Sequence, residues 1–245
     1  MLLAEDNVVN QKLAVRLLEK EGHSVVAAGN GQEALAALVQ SDFDAILMDV
    51  QMPEMSGLEA TAAIREKEKT TGKHQLLIAL TAHAMKGDRE RCWEAGMDHY
   101  LAKPIQSNEL FAALRGSDGG PKIAAAQKKT PKAVFDSAVA LIRMGHDPEP
   151  LTELIEIFLA DCPWRMAELQ EAIALPDAQS LERAAHKLKG AAAVFDALSV
   201  VEAAEQLEIL ARQNHVSAAR EMLSHLDHQI ATLTRALQES LAVER

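Results

Sequence analysis

The chain has 245 residues, 48% of them hydrophobic and 25% charged, with a formal net charge of −11, the profile of a globular protein long enough for two ordinary domains. Residues 1–115 hold 12 basic and 17 acidic side chains and residues 135–245 hold 9 and 18, so neither half has the basic face that binding to a nucleic-acid backbone requires. Cys92 and Cys162 form no CxxC or disulfide framework, no apolar run reaches membrane-span length, and Met1 leads into Glu5-Asp6 without a signal peptide, so a cytoplasmic chain with free thiols is expected.

Five short apolar runs, at Leu2–Ala4, Ser24–Ala28, Ala45–Asp49, Leu76–Thr81 and Tyr100–Ala102, read as strands. Amphipathic stretches near Val9–Glu21, Gln32–Gln40, Leu58–Thr70, Lys86–Ala95 and Ser107–Arg115 read as the helices that follow them. Runs such as Ala45-Ile46-Leu47-Met48 are continuously apolar, the mark of strands buried on both faces of a parallel sheet. Five βα units in this order predict a doubly wound α/β domain over residues 1–115, with a five-stranded parallel sheet of the flavodoxin-like kind. Ligands of such a sheet sit at the carboxyl ends of its strands.

Gly116-Ser117-Asp118-Gly119-Gly120-Pro121 breaks the pattern, and Lys122 to Ala133 is small, basic and aperiodic, with Pro131 near its end. Residues 116–134 read as a flexible linker, spanning about 25 Å root-mean-square. From Phe135 onward helical patterns cover Asp136–Met144, Pro148–Leu175, Ala178–Phe195, Leu198–Gln213 and Ser217–Ala242, with Asp177 as an N-cap. Long amphipathic helices with short connections predict an antiparallel bundle over residues 135–245.

Chemistry gathers at predicted strand ends. Glu5 and Asp6 end the first strand and Asp49 ends the third, so three carboxylates converge on one edge of the sheet. Packed like charges need a cation, and an all-oxygen site suits Mg²⁺. Thr81 and Lys103, after the fourth and fifth strands, bring a hydroxyl and an ammonium to the same edge. These are the parts that hold a phosphoryl group, and attack by an aspartate yields an acyl phosphate.

Residues 1–115 resemble a response-regulator receiver domain in Leu3-Ala4-Glu5-Asp6-Asn7, Leu47-Met48-Asp49-Val50-Gln51-Met52-Pro53, Ala79-Leu80-Thr81-Ala82 and Lys103-Pro104, in both order and spacing. The resemblance implies Asp49 as phosphoacceptor, with Asp6, Asp49 and the Gln51 carbonyl as direct Mg²⁺ ligands and Glu5 acting through water. It implies Thr81 and Lys103 as contacts of the phosphoryl oxygens, a cis Lys103-Pro104 bond, and Thr81 with Tyr100 as the switch pair. The family carries further apolar residues before Leu2, so either a piece of a longer protein or a mis-assigned start is expected.

In the second half, Leu181, Ala185, Leu188, Ala192 and Phe195 share one helix face, and His186 lies roughly 140° from Leu181. His186 is therefore expected on the surface, flanked by Lys189 to offset phosphate charge and by Gly190 to clear the ring for a partner. The run Ala184-Ala185-His186-Lys187-Leu188-Lys189-Gly190-Ala191 resembles the His-x-Leu-Lys-Gly signature of histidine phosphotransfer (HPt) domains, and Phe135-Asp136 and Phe158-Leu159-Ala160-Asp161 fit that family's opening helices. The resemblance implies that His186 carries the phosphoryl group. The other histidines, including the i, i+3 pair His225 and His228, read as solvated side chains.

Together these features predict a two-component phosphorelay protein whose partners are a sensor histidine kinase and other receiver domains. No Gly-rich nucleotide motif is present, so no use of ATP is expected of this chain itself. A second reading makes the chain the C-terminal part of a hybrid sensor histidine kinase. A third makes the bundle a docking or dimerisation module in which His186 is dispensable.

Overall fold

The apolar runs pair as a sheet in the computed structural model, which describes residues 1–81, 86–115, 134–135, 137–143 and 148–243. The strands are β1 (Leu2–Ala4), β2 (Val26–Ala28), β3 (Ala45–Asp49), β4 (Leu76–Thr81) and β5 (His99–Ala102), and the helices that follow them are α1 (Val8–Lys20), α2 (Gly31–Gln40), α3 (Gly57–Thr71), α4 (Lys86–Glu94) and α5 (Ser107–Leu114). The sheet order is β2-β1-β3-β4-β5, every pair parallel. The doubly wound class expected from the sequence is the one observed.

β1 is wholly buried, as are β3 and all of β4 beyond Leu76, because helices cover both faces. β2 is an edge strand with Val26 and Ala27 exposed, and its pairing starts at Leu2↔Val26, two residues later than the predicted Ser24. Local chemistry sets the helix starts. Asn7 Oδ1 accepts from the backbone N–H of Val9 and Asn10, Asn30 caps α2, and Ser56 with Glu59 forms a capping box on α3. Gly72 ends α3 in the left-handed conformation at φ 69°.

The chain divides into two compact units, Met1–Gln127 and Lys128–Arg245. The described part of the second unit is helical: α6 (Ser137–Arg143), α7 (Pro148–Ala174), α8 (Ala178–Val194), α9 (Leu198–Arg212) and α10 (Val216–Val243). Three-residue connections join α7 to α10 in turn, so sequence neighbours lie side by side and run antiparallel. Contact between α10 and α7 closes the bundle. Its core includes the edge-on rings of Phe158 and Phe195, 5.2 Å apart. Pro163 sits inside α7 without ending it; the buried stripe Leu151, Leu154, Ile155, Phe158, Cys162, Met166 and Leu169 holds the helix on either side. Asp177 caps α8 as expected, accepting from Gln179 and Ser180 N–H. Most of the predicted linker, Ala82, and the predicted first bundle helix's ends at Asp136 and Met144 lie outside the described residues.

Candidate functional site

Glu5 and Asp6 follow β1, Asp49 is the last residue of β3, Thr81 the last of β4, and Lys103 follows β5. All five therefore stand at the carboxyl edge of the sheet, around the β1/β3 boundary where the strand order reverses. One oxygen each from Glu5, Asp6 and Asp49 lies within 4.8 Å of the others. Lys103 reaches into the cluster with its side chain only 5% exposed, its ammonium 2.5 Å from Asp49 Oδ2 and 2.6 Å from Glu5 Oε2. The Lys103-Pro104 bond is cis.

The first turn of α1 holds Glu5 in place. Its Oε1 accepts from the Asn7 backbone N–H at 3.2 Å and from the buried Asn10 side chain at 3.4 Å, while its Oε2 meets Lys103. Asp49 Oδ1 accepts the backbone N–H of Gln51 at 3.2 Å, which brings the residue 51 backbone against the acceptor carboxylate. Gly57 opens α3 directly over this loop: a Cβ there would lie 2.0 Å from the Asp49 carbonyl oxygen. Asn10 and Gly57 were not among the predicted site residues.

Burial pushes the Asp49 carboxyl up to about 7, opposed by Lys103 and reinforced by Glu5. Burial also opposes the charge of Lys103, yet Asp49 and Glu5 outweigh it and hold its pKa above the ordinary lysine value. Three buried or half-buried carboxylates gather negative charge at this edge, and Lys103 meets two of them, Glu5 and Asp49. That fits a hard divalent cation with oxygen ligands.

Thr81 is buried, and its carbonyl accepts the Lys103 backbone N–H at 2.8 Å. Tyr100 is half-buried on the neighbouring strand, on the same sheet face as Thr81. Its ring meets Trp93 of α4 edge-on at 6.2 Å, and the Arg89 guanidinium lies over both rings.

His186 sits on α8 with its side chain 13% exposed, less open than its helical angle suggested. The cause is Glu208 of α9, whose Oε1 is 3.1 Å from His186 Nδ1. Lys189 corrects the sequence reading more sharply. It is buried rather than a surface group, and its ammonium is paired with Glu208 Oε2. By helical angle Lys189 is about 80° from the centre of the α8 apolar stripe, close enough to be drawn under α9 once a carboxylate waits there. Arg212, one turn after Glu208, pairs with Glu208 Oε1 and, at 2.7 Å, with Glu182 of α8. Gly190, half-buried, lies one turn past His186.

Glu208 and Arg212 are functional candidates the sequence reading missed. The signal was present, since Glu208 falls beside the α9 stripe of Val200, Ala204, Leu207 and Ala211, where a lone acid requires a partner. Burial would raise the Glu208 pKa, but hydrogen bonds from His186 and Lys189 outweigh it and bring it to about 2. An ionised carboxylate only accepts hydrogen bonds, so His186 Nδ1 is the donor in this contact.

Two domain families match this chain. The response regulator receiver domain matches residues 1–115 and the Hpt domain matches residues 153–238. The chain is a receiver domain followed by an Hpt domain. This receiver–Hpt chain is 32% identical over 242 residues, 95% of its length, to 27% of the sensor protein GacS of Pseudomonas syringae pv. syringae. Its receiver is 49% identical over 119 residues, 46% of the chain, to 7% of hybrid signal transduction histidine kinase I of Dictyostelium discoideum. It is 43% identical to the receiver domain of a sensor histidine kinase from Pseudomonas aeruginosa PAO1 whose structure has a magnesium ion coordinated in the active-site cleft; that match covers 47% of this chain and 93% of the other, with a TM-score of 0.44. The chain spans 7% and 27% of the two curated relatives named. The receiver–Hpt pair matches the phosphorelay components of hybrid histidine kinases. Among the described residues, no helix is long and apolar enough to cross a membrane.

Proposed function

We propose that this chain relays a phosphoryl group between Asp49 and a histidine, His186, carried on separate domains. The receiver comprises residues 1–115, a linker 116–134, and the phosphotransfer bundle 135–245. The observation that carries the reading is the meeting of Glu5, Asp6 and Asp49 within 4.8 Å beside Lys103. Asp49, Asp6, the Gln51 carbonyl and Glu5 are the residues that would hold Mg²⁺. When bound, such a cation would supply positive charge opposite the phosphoryl oxygens. An Asp49 oxygen attacks phosphorus while the donor's bond to phosphorus breaks. Lys103 swings from Asp49 to the phosphoryl oxygens, and the Thr81 hydroxyl donates to another. Thr81 and Tyr100 then report occupancy to the surface of α4.

In the bundle, Glu208 holds Nδ1–H and so aims Nε2 at the incoming phosphorus. As the N–P bond forms, the ring gains positive charge that Glu208 faces directly. Lys189 serves as the counter-ion of Glu208 and reaches His186 through it. A sensor kinase supplies the phosphoryl group and other receivers exchange it with His186, in the cytoplasm. Alignment of 95% of the chain with a sensor protein supports its role as the relay portion of a hybrid histidine kinase.

The test is to phosphorylate the chain with acetyl phosphate and Mg²⁺, add candidate receivers, and sort the label by stability. Acyl phosphate is base-labile and phosphohistidine acid-labile. Label reaches Asp49 in the wild type and not in Asp49→Ala, and reaches His186 except in His186→Gln. Relay by His186→Gln at the wild-type rate would leave the bundle as a docking module.

A further inference from the structure

We propose that Arg212 is a positioning residue that sets how firmly phosphorylated His186 keeps its Nδ1 proton, and thereby how readily it gives the phosphoryl group up. The inference rests on His186 as phosphoacceptor. Oε1 of Glu208 receives both the His186 Nδ1 hydrogen bond, 3.1 Å, and the Arg212 guanidinium, while Lys189 occupies Oε2. Two donors on one oxygen stand no more than about 6 Å apart. Arg212 differs from Lys189 in being half-exposed, with its Nε tied to Glu182 Oε1, one turn before His186, at 2.7 Å.

The charged groups linked to the ring include Glu208 and Arg212 of α9 and Glu182 and Lys189 of α8. On α7, which also packs on α8, the buried Arg165 is engaged by its own Asp161 at 2.6 Å and Glu168 at 3.8 Å.

Phosphorylation at Nε2 converts the ring to an imidazolium so long as Nδ1 keeps its hydrogen. When water or a receiver aspartate then attacks phosphorus, the Nε2–P bond breaks and its electron pair returns to Nε2. The leaving group is a neutral imidazole. If Nδ1 has lost its hydrogen, the leaving group is an imidazolate, and transfer slows. Glu208 favours the hydrogen-bearing ring. Arg212, a cation on the same carboxylate oxygen, weakens that preference, and Glu182 draws Arg212 part of the way off.

The experiment uses the full chain with Asp49→Ala, phosphorylated by phosphoramidate. Nε2 attacks phosphorus, the P–N bond to the donor breaks, and ammonia leaves. Decay of the phosphohistidine is followed by ³¹P NMR from pH 5 to 9. Arg212→Met is expected to move the decay profile up by about half to one pH unit, a three- to tenfold gain in proton retention. Arg212→Lys restores the wild-type profile, and Glu182→Gln moves it down, because Arg212 then bears fully on Glu208. A profile unchanged in both Arg212→Met and Glu182→Gln overturns the inference. A phosphohistidine signal that persists in His186→Gln would instead overturn the assignment of His186.

Discussion

The ammonium of Lys189, on α8, is paired with the carboxylate of Glu208, on α9, in the interior of the bundle. Removing one partner of such a pair strands the other charge at a cost of about 3–5 kcal/mol, whereas exchanging both for apolar groups costs far less. Glu208→Leu is therefore expected to destabilise the bundle more than Lys189→Met, since Glu208 also meets His186 and Arg212. The double variant should recover much of the loss. Urea unfolding of the two single variants and the double variant checks this, and strictly additive losses would show that the pair is not energetically coupled.

Stability should also carry the signature of Glu208 in acid. Its pKa is lowered from 4.5 to about 2, so its contribution is complete above about 4.5 and is lost as the pH falls through 2. The amount at stake is about 3 kcal/mol. Unfolding free energies measured between pH 5 and 2 should fall less steeply for Glu208→Gln than for the wild type. Parallel slopes would exclude Glu208 as a source of acid sensitivity.

Asp49 points the opposite way. Its pKa, raised to about 7 mainly by burial, means that a share of the metal-free protein holds a proton on Asp49 near neutral pH. Cation binding needs the carboxylate, so Mg²⁺ should release protons on binding, and its affinity should fall as the pH drops below about 7. Calorimetry in buffers of different ionisation enthalpy measures the released protons. Asp6→Ala should weaken Mg²⁺ binding about tenfold or more, and EDTA should stop labelling of Asp49 by acetyl phosphate. Labelling that continues in EDTA would remove the metal from the scheme.

Gly57→Ala tests the closeness of α3 to the acceptor loop. The added methyl meets the Asp49 carbonyl, a backbone atom that cannot rotate away. A loss of about 1–3 kcal/mol is expected, with slower Asp49 labelling in the protein that remains folded. Wild-type stability would mean that the loop has room the distances deny.

The receiver was legible in the sequence because parallel topology converts strand order into spatial order. Once Leu2–Ala4, Ala45–Asp49 and Leu76–Thr81 read as buried strands, Asp6, Asp49 and Thr81 had to share an edge. The bundle was legible in its helices and less so in its charges. Angle on a helix says which side chains leave the core, but not what a neighbouring helix offers them. Lys189 reads as a surface cation until Glu208 is brought within reach of it. His186 likewise loses exposure to α9, an element whose placement no local spacing reveals.

Trp93, packed edge-on against Tyr100, has a consequence for observation. The chain has only two tryptophans, Trp93 in the first unit and Trp164 in the second, so each unit carries its own intrinsic fluorophore. With Trp164→Phe, the remaining emission comes from a ring beneath the Arg89 guanidinium, 4.1 Å from its centroid. That emission tracks α4 and β5 optically, in the intact chain and without a label, while the bundle stays dark.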